Sequence, residues 1–481
     1  MRISQLYRAL AGQAWPSTYD MALRAPQLDS RAVQPGDVFI AVPGTRHDGH
    51  DFVADALARG ARIALIHRNV PDCTTLDVRA PLTADTIQRW RAPGCFRVEN
   101  TVAALQQWAR TWRAWHPHVR VVGVTGSVGK TSTKELIAHV LNAHQPTLKN
   151  PGNYNNELGL PLSLLALRGH HRRAVLEMGF YVPGDITLLC SIAQPQVGVV
   201  TNVSLVHAER AGDQATIARG KAELVQALPA GGVAVLNADD PWVRAMAHQT
   251  RAHVVFYGFG PEAHVRGLAV HSLGLDGIQI ELEAWGQPLT VRLPWPGRHW
   301  AYAALAALAV AWVEGVPWDR ARDALTTAPP PPHLRVLTTP QGARIIDDAY
   351  NAEPKSVRAA LDLLGDTPAR VRVAVLGDML ELGPYETQAH LEVGAYAAAR
   401  VDHLYTFGPR AAAIARGAVN AGLAPERVHA FDADAIDNLV HALHAHLEPD
   451  VVLLVKGSRG MRMERIVEAL AQPNPRAEGT S

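Results

Sequence analysis

The chain has 481 residues, of which 48% are hydrophobic and 19% are charged, a balance typical of a folded globular protein. Its 46 basic residues nearly match its 45 acidic ones, so the composition excludes a strongly basic surface for nucleic acid or for an anionic membrane. The length predicts several domains.

The lack of a recognisable targeting signal and the scattered cysteines predict a cytoplasmic protein. The first residues, MRISQLYRALAGQAW, lack the apolar core of a signal peptide. The most apolar run, from Trp300 to Val313, is too short to span a bilayer and predicts a buried helix, so no stable membrane association is expected. Cys73, Cys95 and Cys190 are scattered, which predicts neither a disulfide framework nor a zinc site.

The first unit, residues 1–118, begins with a helix and continues to a short apolar strand at Val38 to Val42. The loop that follows carries Arg46, His47, Asp48 and His50. Such a loop is either solvated surface or part of an anion or sugar site, and its residues alone do not decide between the two.

The second unit, residues 119–328, opens with VVGVTGSVGKTSTKE, Val121 to Glu135. An apolar strand, a glycine turn and a helix that begins at Lys130 predict a phosphate-binding loop, whose backbone N–H groups and helix dipole bind anionic oxygens. Lys130 would reach the β- and γ-phosphates, and the Thr131 hydroxyl would bind Mg²⁺. The usual pattern has glycine where this chain has Val124, so an ordinary glycine-rich turn is the alternative. The residues that we expect at ATP in this stretch are Thr125, Gly126, Ser127, Gly129, Lys130, Thr131 and Ser132.

Polar residues follow the later strands of this unit. The amide-rich stretch NPGNYNNELGLPLSLLAL either orients a substrate carboxylate or forms turns and a helix cap. Glu177 ends an apolar strand, at the sheet edge where α/β proteins bind ligands, and is a candidate Mg²⁺ ligand. His207 lies in the loop after the strand Val197 to Asn202, and Lys221 lies on a helix that starts near Asp213.

Four prolines, Pro329 to Pro332, predict a rigid boundary before the last unit, residues 329–481. Alternating strands and helices there predict a doubly wound sheet without its own phosphate loop. Polar residues follow its strands and should converge at one edge: Asp347, Asp348, Tyr350, Asn351, Asp378, Glu381, Lys456, Ser458 and Arg459. A cleft that closes over ATP fits the ATP-driven joining of a carboxylate to an amine.

Seven stretches resemble the Mur ligase family: DSRAVQPGDVFIAVPGTRHDGHDF, TGSVGKTSTKE, GNYNNELGLPLSLL, LEMG, DDAYNAEPKS, LGDMLELG and KGSRGMRMERIV. The last three are similar to the member that adds a D-alanyl-D-alanine dipeptide. The resemblance implies an α/β fold of three domains. These are a small α/β N-terminal domain that binds the UDP-linked substrate, a central P-loop ATPase domain, and a Rossmann-like C-terminal ligase domain, in the units already delimited.

The resemblance also implies roles for single residues. It assigns Mg²⁺ to Thr131, Glu177, His207 and a carbamylated Lys221. It gives Lys130, Lys221, His207 and Asn156 catalytic roles. The remaining ATP contacts that it implies are Asn237, His299, Asp348, Tyr350 and Asn351. The UDP-substrate contacts that it implies are Ser30, Arg31, Thr45, His47 and Asn155.

The expected reaction joins D-Ala-D-Ala to UDP-MurNAc-tripeptide, with ATP as the energy source and a monomeric enzyme. The alternatives are the sister ligase that adds the third peptide residue and a nucleotide-dependent P-loop switch. Two departures from the family pattern stand out. Trp300 and Ala303 replace asparagines near the adenine or the domain hinge, and Pro332-His333-Leu334 replaces a Gly-Arg-Leu step whose charge Arg335 could supply.

Overall fold

The computed structural model describes residues 1–15, 17–44, 46–204 and 213–472. Within these ranges the strands form three sheets, of five, nine and six strands. Helices cover the sheets, so the predicted α/β fold with three domains is confirmed.

The N-terminal sheet has the strand order β1-β2-β3-β5-β4, and all its pairings are parallel. Its strands are β1 (Pro26–Gln27), β2 (Val38–Ile40), β3 (Ile63–Ile66), β4 (Thr75–Asp77) and β5 (Gly94–Arg97). Its helices are α1 (Ile3–Ala11), α2 (Val53–Ala58), α3 (Ala84–Arg89) and α4 (Thr101–Ala114). The apolar face of α4, with Leu105 and Trp108 fully buried, packs in one core with the helices Gly159–Leu164 and Asp185–Ala193 of the central domain.

A disulfide joins Cys73 to Cys95, so the expectation of no disulfide in this chain was wrong. The parallel pairing of β4 with β5 aligns Thr75 with Cys95, and it brings the Cα of Cys73 to 6.3 Å from that of Cys95. Sequence spacing could not show this, because the two cysteines meet only through the order of the strands.

The central sheet has the order β14-β13-β12-β11-β10-β9-β6-β8-β7, with β12 to β14 antiparallel. Its strands are β6 (Arg120–Thr125), β7 (Thr147–Lys149), β8 (Arg173–Glu177), β9 (Val197–Val200), β10 (Val233–Asn237), β11 (His253–Gly258), β12 (Val265–Ser272), β13 (Ile278–Ala284) and β14 (Gln287–Leu293). Its helices are α5 (Lys130–Asn142), α6 (Gly159–Leu164), α7 (Asp185–Ala193), α8 (Gln214–Gln226), α9 (Pro241–Ala245), α10 (Trp300–Val313) and α11 (Trp318–Thr326).

The alanine-rich run predicted to be a buried helix is α10, and its prediction is confirmed. Alanine has the highest helix propensity and lets neighbouring backbones approach, so α10 packs closely on α5 and the sheet. No helix among the described residues combines the length and the apolar character needed to cross a bilayer.

The C-terminal sheet has the order β15-β16-β20-β17-β18-β19, parallel except for β15. Its strands are β15 (Arg335–Thr338), β16 (Arg344–Asp348), β17 (Val371–Gly377), β18 (His403–Phe407), β19 (Val428–Phe431) and β20 (Val451–Lys456). Its helices are α12 (Pro354–Asp366), α13 (Glu386–Ala398), α14 (Ala412–Asn420), α15 (Ile436–Leu443) and α16 (Glu464–Ala471). Neither helix nor strand runs through Pro329 to Pro332, as predicted.

The start of α10 joins the central and C-terminal domains. Arg298 donates two hydrogen bonds to Asp366 at the end of α12, with N–O distances of 2.7 and 3.1 Å. The Trp300 ring packs against the cores of both domains, and its Nε1 donates to the carbonyl of Pro296 at 2.9 Å. Trp300 is therefore a contact between the two domains, which gives a structural role to one of the two residues that replace the family asparagines.

Candidate active site

The phosphate-binding loop follows β6 and ends where α5 begins. Gly126 and Gly129 have positive φ angles of 147° and 78°, which glycine adopts without steric cost. A Cβ at Gly126 would also collide with the hydroxyl of Thr201. The predicted strand, turn and helix are thus confirmed, and the misplaced glycine pattern does not prevent the loop from forming.

The loop after β9 holds this turn in place. The amide oxygen of Asn202 accepts from the N–H of Val128 at 3.0 Å, and the hydroxyl of Thr201 donates to the carbonyl of Val128 at 2.7 Å. The Ser127 hydroxyl donates to the carbonyl of Ser204 at 3.1 Å. The sequence analysis did not identify Thr201 and Asn202 as residues that hold the loop. Their position at the carboxyl end of β9, which pairs with β6, could have indicated it.

Lys130 folds back over the loop. Its Nζ donates to the carbonyl oxygens of Gly126 and Ser127, both at 2.9 Å. No carboxylate of the described residues lies within ion-pair distance of this amine, so its charge is uncompensated next to the N-terminus of α5. Thr131 is half-buried in the first turn of that helix, and Thr125 and Ser132 are buried beside it.

Glu177 lies at the same edge because β8 pairs with β6, opposite Val124. Asn155 Nδ2 donates to Glu177 Oε1 at 2.7 Å, which fixes the carboxylate. The other oxygen, Oε2, is buried and has no hydrogen-bond partner among the described residues. A buried carboxylate oxygen without a partner is costly unless a cation binds it, so this position suits a metal ligand.

Asn156 caps a helix. Its Oδ1 accepts from the N–H groups of Leu158 and Gly159, at 3.3 and 2.8 Å, at the start of α6. The helix-cap alternative left open by the sequence is therefore correct for this oxygen. The NH₂ group of Asn156 is the part of the side chain that can still donate to a substrate.

Lys221 is buried on α8, with 3% of its surface exposed, and its Nζ lies 5.4 Å from the centre of the Phe180 ring. Burial lowers its pKa well below the usual value, and the nearby charge of Lys130 lowers it further. Burial therefore disfavours the charged form of this amine. His207 lies outside the described residues.

The predicted convergence of polar groups at the C-terminal sheet edge is confirmed for Asp348, Asn351, Lys456 and Ser458. Lys456 Nζ donates to Asp348 Oδ2 at 2.6 Å and to the carbonyl of Asn351 at 2.9 Å. The Ser458 hydroxyl donates to the carbonyl of Ala352 at 3.2 Å and accepts from the N–H of Leu380 at 2.9 Å. Burial raises the pKa of Asp348, and the charge of Lys456 opposes that rise.

Three further residues expected at ATP lie around the two edges. Asn237 is buried, and its Nδ2 donates to the carbonyl of Thr201 at 2.9 Å, next to the phosphate loop. Tyr350 is exposed at the rim of the C-terminal sheet. Burial lowers the pKa of His299 to about 4, so its imidazole is neutral, and its Nδ1 has no hydrogen-bond partner among the described residues.

Glu353, at the start of α12, is a site residue that sequence reasoning missed. Burial raises its pKa from 4.5 to about 7, against the opposing charges of Lys130, Lys456, Lys355 and Lys221. A carboxyl of the C-terminal domain thus faces the lysines of the central one. The six lysines of the chain all belong to this region: Lys130, Lys134, Lys149, Lys221, Lys355 and Lys456.

The expected UDP-substrate residues are divided between two places. Asn155 lies beside Glu177 in the central domain, whereas Ser30, Arg31 and His47 lie in loops after neighbouring strands of the N-terminal sheet. Ser30 is buried after β1, and Arg31 is exposed and paired with Asp29 at 2.7 Å. His47 is exposed in the loop after β2, whereas Thr45 lies outside the described residues. His50 is buried and its Nδ1 lies 2.6 Å from Asp48, so these two residues hold the loop itself.

Arg335 does not supply charge to the cleft, contrary to the expectation from the sequence. Its guanidinium pairs with Asp347 at 2.6 Å, and 62% of its side chain is exposed. The two residues are aligned by the antiparallel pairing of β15 with β16, which the sequence did not reveal.

Comparison with known proteins agrees with this geometry. Residues 26–113 match the catalytic domain of the Mur ligase family, residues 124–311 its middle domain, and residues 334–459 its glutamate ligase domain. The UDP-N-acetylmuramoyl-tripeptide–D-alanyl-D-alanine ligase of Synechocystis is 35% identical over 451 residues, which are 93% of this chain and 92% of that protein.

Two solved structures are similar over the whole fold. A crystal structure of MurF from Acinetobacter baumannii has a TM-score of 0.83 and 29% identity and covers 98% of both chains. MurF from Thermotoga maritima in complex with ADP has a TM-score of 0.79 and 30% identity, and covers 93% of this chain and 97% of its own. The chain belongs to the Mur ligase family.

Proposed function

We propose that this protein is an ATP-dependent ligase that joins D-Ala-D-Ala to UDP-MurNAc-tripeptide and so forms UDP-MurNAc-pentapeptide for peptidoglycan synthesis. The observation that carries the proposal is the uncompensated amine of Lys130 in a phosphate loop beside the buried carboxylate of Glu177. The near full-length similarity to a ligase of that name supports this choice of substrates.

The reaction needs ATP because a carboxylate and an amine form only a salt at neutral pH. Transfer of the γ-phosphoryl group to the terminal carboxylate of the tripeptide gives an acyl phosphate and ADP. The amine of D-Ala-D-Ala then attacks the carbonyl carbon, an amide bond forms, and phosphate and a proton leave. Lys130 and the N–H groups at the start of α5 stabilise the negative charge on the transferred group.

The donor set near the loop fits Mg²⁺, since the unpartnered Oε2 of Glu177 is a hard oxygen ligand. We assign the metal to Thr131, Glu177, His207 and Lys221. The ion supplies positive charge that neutralises the phosphate oxygens. The hydrogen bond from Asn155 holds the Glu177 carboxylate in one orientation.

Lys221 suits this role only as a carbamate. A buried lysine without an ion-pair partner among the described residues can react as a free amine with CO₂, releasing one proton and forming a carboxylate-like group. This change turns a poor metal ligand into an anionic one.

The other site residues bind and orient the substrates. We assign ATP to the phosphate loop, Asn237, His299, Asp348, Tyr350 and Asn351, and the acceptor carboxylate to Asn155 and the NH₂ group of Asn156. The N-terminal unit, residues 1–118, binds the UDP moiety through Ser30, Arg31, Thr45 and His47. Residues 119–328 hold ATP, residues 329–481 cover it, and the enzyme acts as a monomer in the cytoplasm.

Phosphate release by the purified protein tests this function. With ATP and Mg²⁺, we expect release to require both UDP-MurNAc-tripeptide and D-Ala-D-Ala. Equal turnover with UDP-MurNAc-dipeptide and a single diamino acid would identify the sister ligase instead. Slow release that ignores both substrates would contradict ligase function and favour a nucleotide switch.

A further inference from the structure

His333 is the first residue after the four prolines that separate the central and C-terminal domains. Its φ angle is 64°, in the left-handed region, and the residue is exposed. The imidazole lies flat on the ring of Tyr350, with 3.6 Å between the ring centres and 10° between the planes. Two rings this close and this parallel restrict one another's rotation.

Arg459 lies near the same tyrosine. Its guanidinium carbon is 5.5 Å from the centre of the Tyr350 ring, within the range of a cation–π contact. The three side chains come from the linker, from the loop after β16 and from the loop after β20. Tyr350 is 36% exposed, so these contacts hold a ring that solvent would otherwise leave free to turn.

The stack is at the boundary between the two domains. The charges that act on His333 come from Glu177 on β8, from Lys134 and Glu135 on α5, and from Arg459 on the C-terminal side. The next residue, Leu334, is 5% exposed and packs in the C-terminal core. The histidine is thus attached to the C-terminal domain while its ring is near the phosphate-loop helix.

We propose that His333 is a positioning residue of the nucleotide site, whose ring sets the orientation of Tyr350 before ATP binds. An exposed tyrosine must lose side-chain freedom when it meets a ligand, and a stack formed in advance reduces that loss. The inference rests on the proposed function, because Tyr350 is assigned to ATP there.

The test compares three variants of the full-length protein: His333→Ala, His333→Leu and His333→Phe. Leucine keeps the side-chain volume but not a flat ring, whereas phenylalanine keeps the ring. We expect about a tenfold rise in the KM for ATP and in the Kd for a fluorescent ADP analogue with alanine and leucine, and kcat within about twofold. Phenylalanine should stay within about twofold of the wild type in all three quantities.

Asp450→Ala is the matched control, because Asp450 also has a positive φ, 63°, and lies in the turn before β20, at the opposite end of that strand. An unchanged KM in both the alanine and leucine variants would overturn the inference. So would a phenylalanine variant as weak as alanine, which would mean that an imidazole nitrogen contacts the nucleotide. The analogue-binding comparison is independent of ligation, so absence of substrate-dependent phosphate release in the wild type would instead overturn the proposed function.

Discussion

The phosphate-loop edge of the central sheet and the polar rim of the C-terminal sheet each present a lysine at the cleft, but the two lysines differ in their partners. Lys130 donates only to backbone carbonyls among its described hydrogen bonds. Lys456 is 3% exposed and pairs with Asp348 at 2.6 Å. The central edge therefore offers an amine without an ion-pair partner among the described residues, whereas the C-terminal rim pairs its amine with a carboxylate.

This difference indicates which part of ATP each edge suits. A triphosphate needs free positive charge, which the central edge provides together with backbone N–H groups. The C-terminal rim offers a carboxylate, a tyrosine and amide groups, which suit uncharged hydroxyls and an ammonium group better than phosphate. Four substitutions test this division.

Lys130→Ala should have the largest effect. Loss of the free charge should lower substrate-dependent phosphate release by about a thousandfold. Lys149→Ala is the matched control, because that side chain is 46% exposed and pairs with Glu135, and its loss should cost little. Near-normal release by Lys130→Ala would show that the central edge does not depend on this charge.

Lys221→Ala should reduce phosphate release by on the order of a hundredfold, because the proposed carbamate oxygens are lost. Added formate or acetate should restore part of the activity by entering the space left beside Phe180. The same salts should not rescue Lys130→Ala, which serves as the control. Full activity of Lys221→Ala without added carboxylate would contradict the carbamate.

Asp348→Ala should act on stability, since it leaves the buried Lys456 with only the Asn351 carbonyl among the partners described above. We expect the free energy of unfolding to fall by about 2 kcal/mol, measured by urea denaturation. Glu448→Gln, which breaks the exposed pair with Arg370, is the control and should change it little. An equally small effect at Asp348 would mean that the rim lysine needs no neutralising partner.

Glu353→Gln should have the smallest effect, and it depends on pH. The pKa of Glu353 is raised from 4.5 to about 7 in the folded protein, so the folded state holds this proton more tightly. The stabilising contribution of the protonated Glu353 carboxyl is therefore lost as pH rises from about 4.5 through 7. A glutamine at this position does not titrate, so the variant does not lose stability in this way. The variant should exceed the wild type by on the order of 1 kcal/mol at pH 8 and far less at pH 5, and a constant difference would contradict a raised pKa.

Local patterns in the sequence predicted the parts of the site that are themselves local. The strand, glycine turn and helix around Lys130 are consecutive, and the edge positions of Glu177 and Asp348 follow from parallel strands. The supports from Thr201 and Asn202 and the Cys73–Cys95 disulfide depend on strand order, which no local pattern contains. The approach of Glu353 to Lys221 joins residues of two domains, which no pattern within either domain predicts.

The confinement of all six lysines to the cleft region has a practical consequence for chemical labelling. Amine-selective reagents have no target elsewhere on the chain except the N-terminus, since the other basic side chains are arginines and histidines. Lys134, Lys221 and Lys456 are buried, whereas Lys149 and Lys355 are exposed, so an intact-mass count of adducts should be set mainly by the two exposed lysines and the N-terminus.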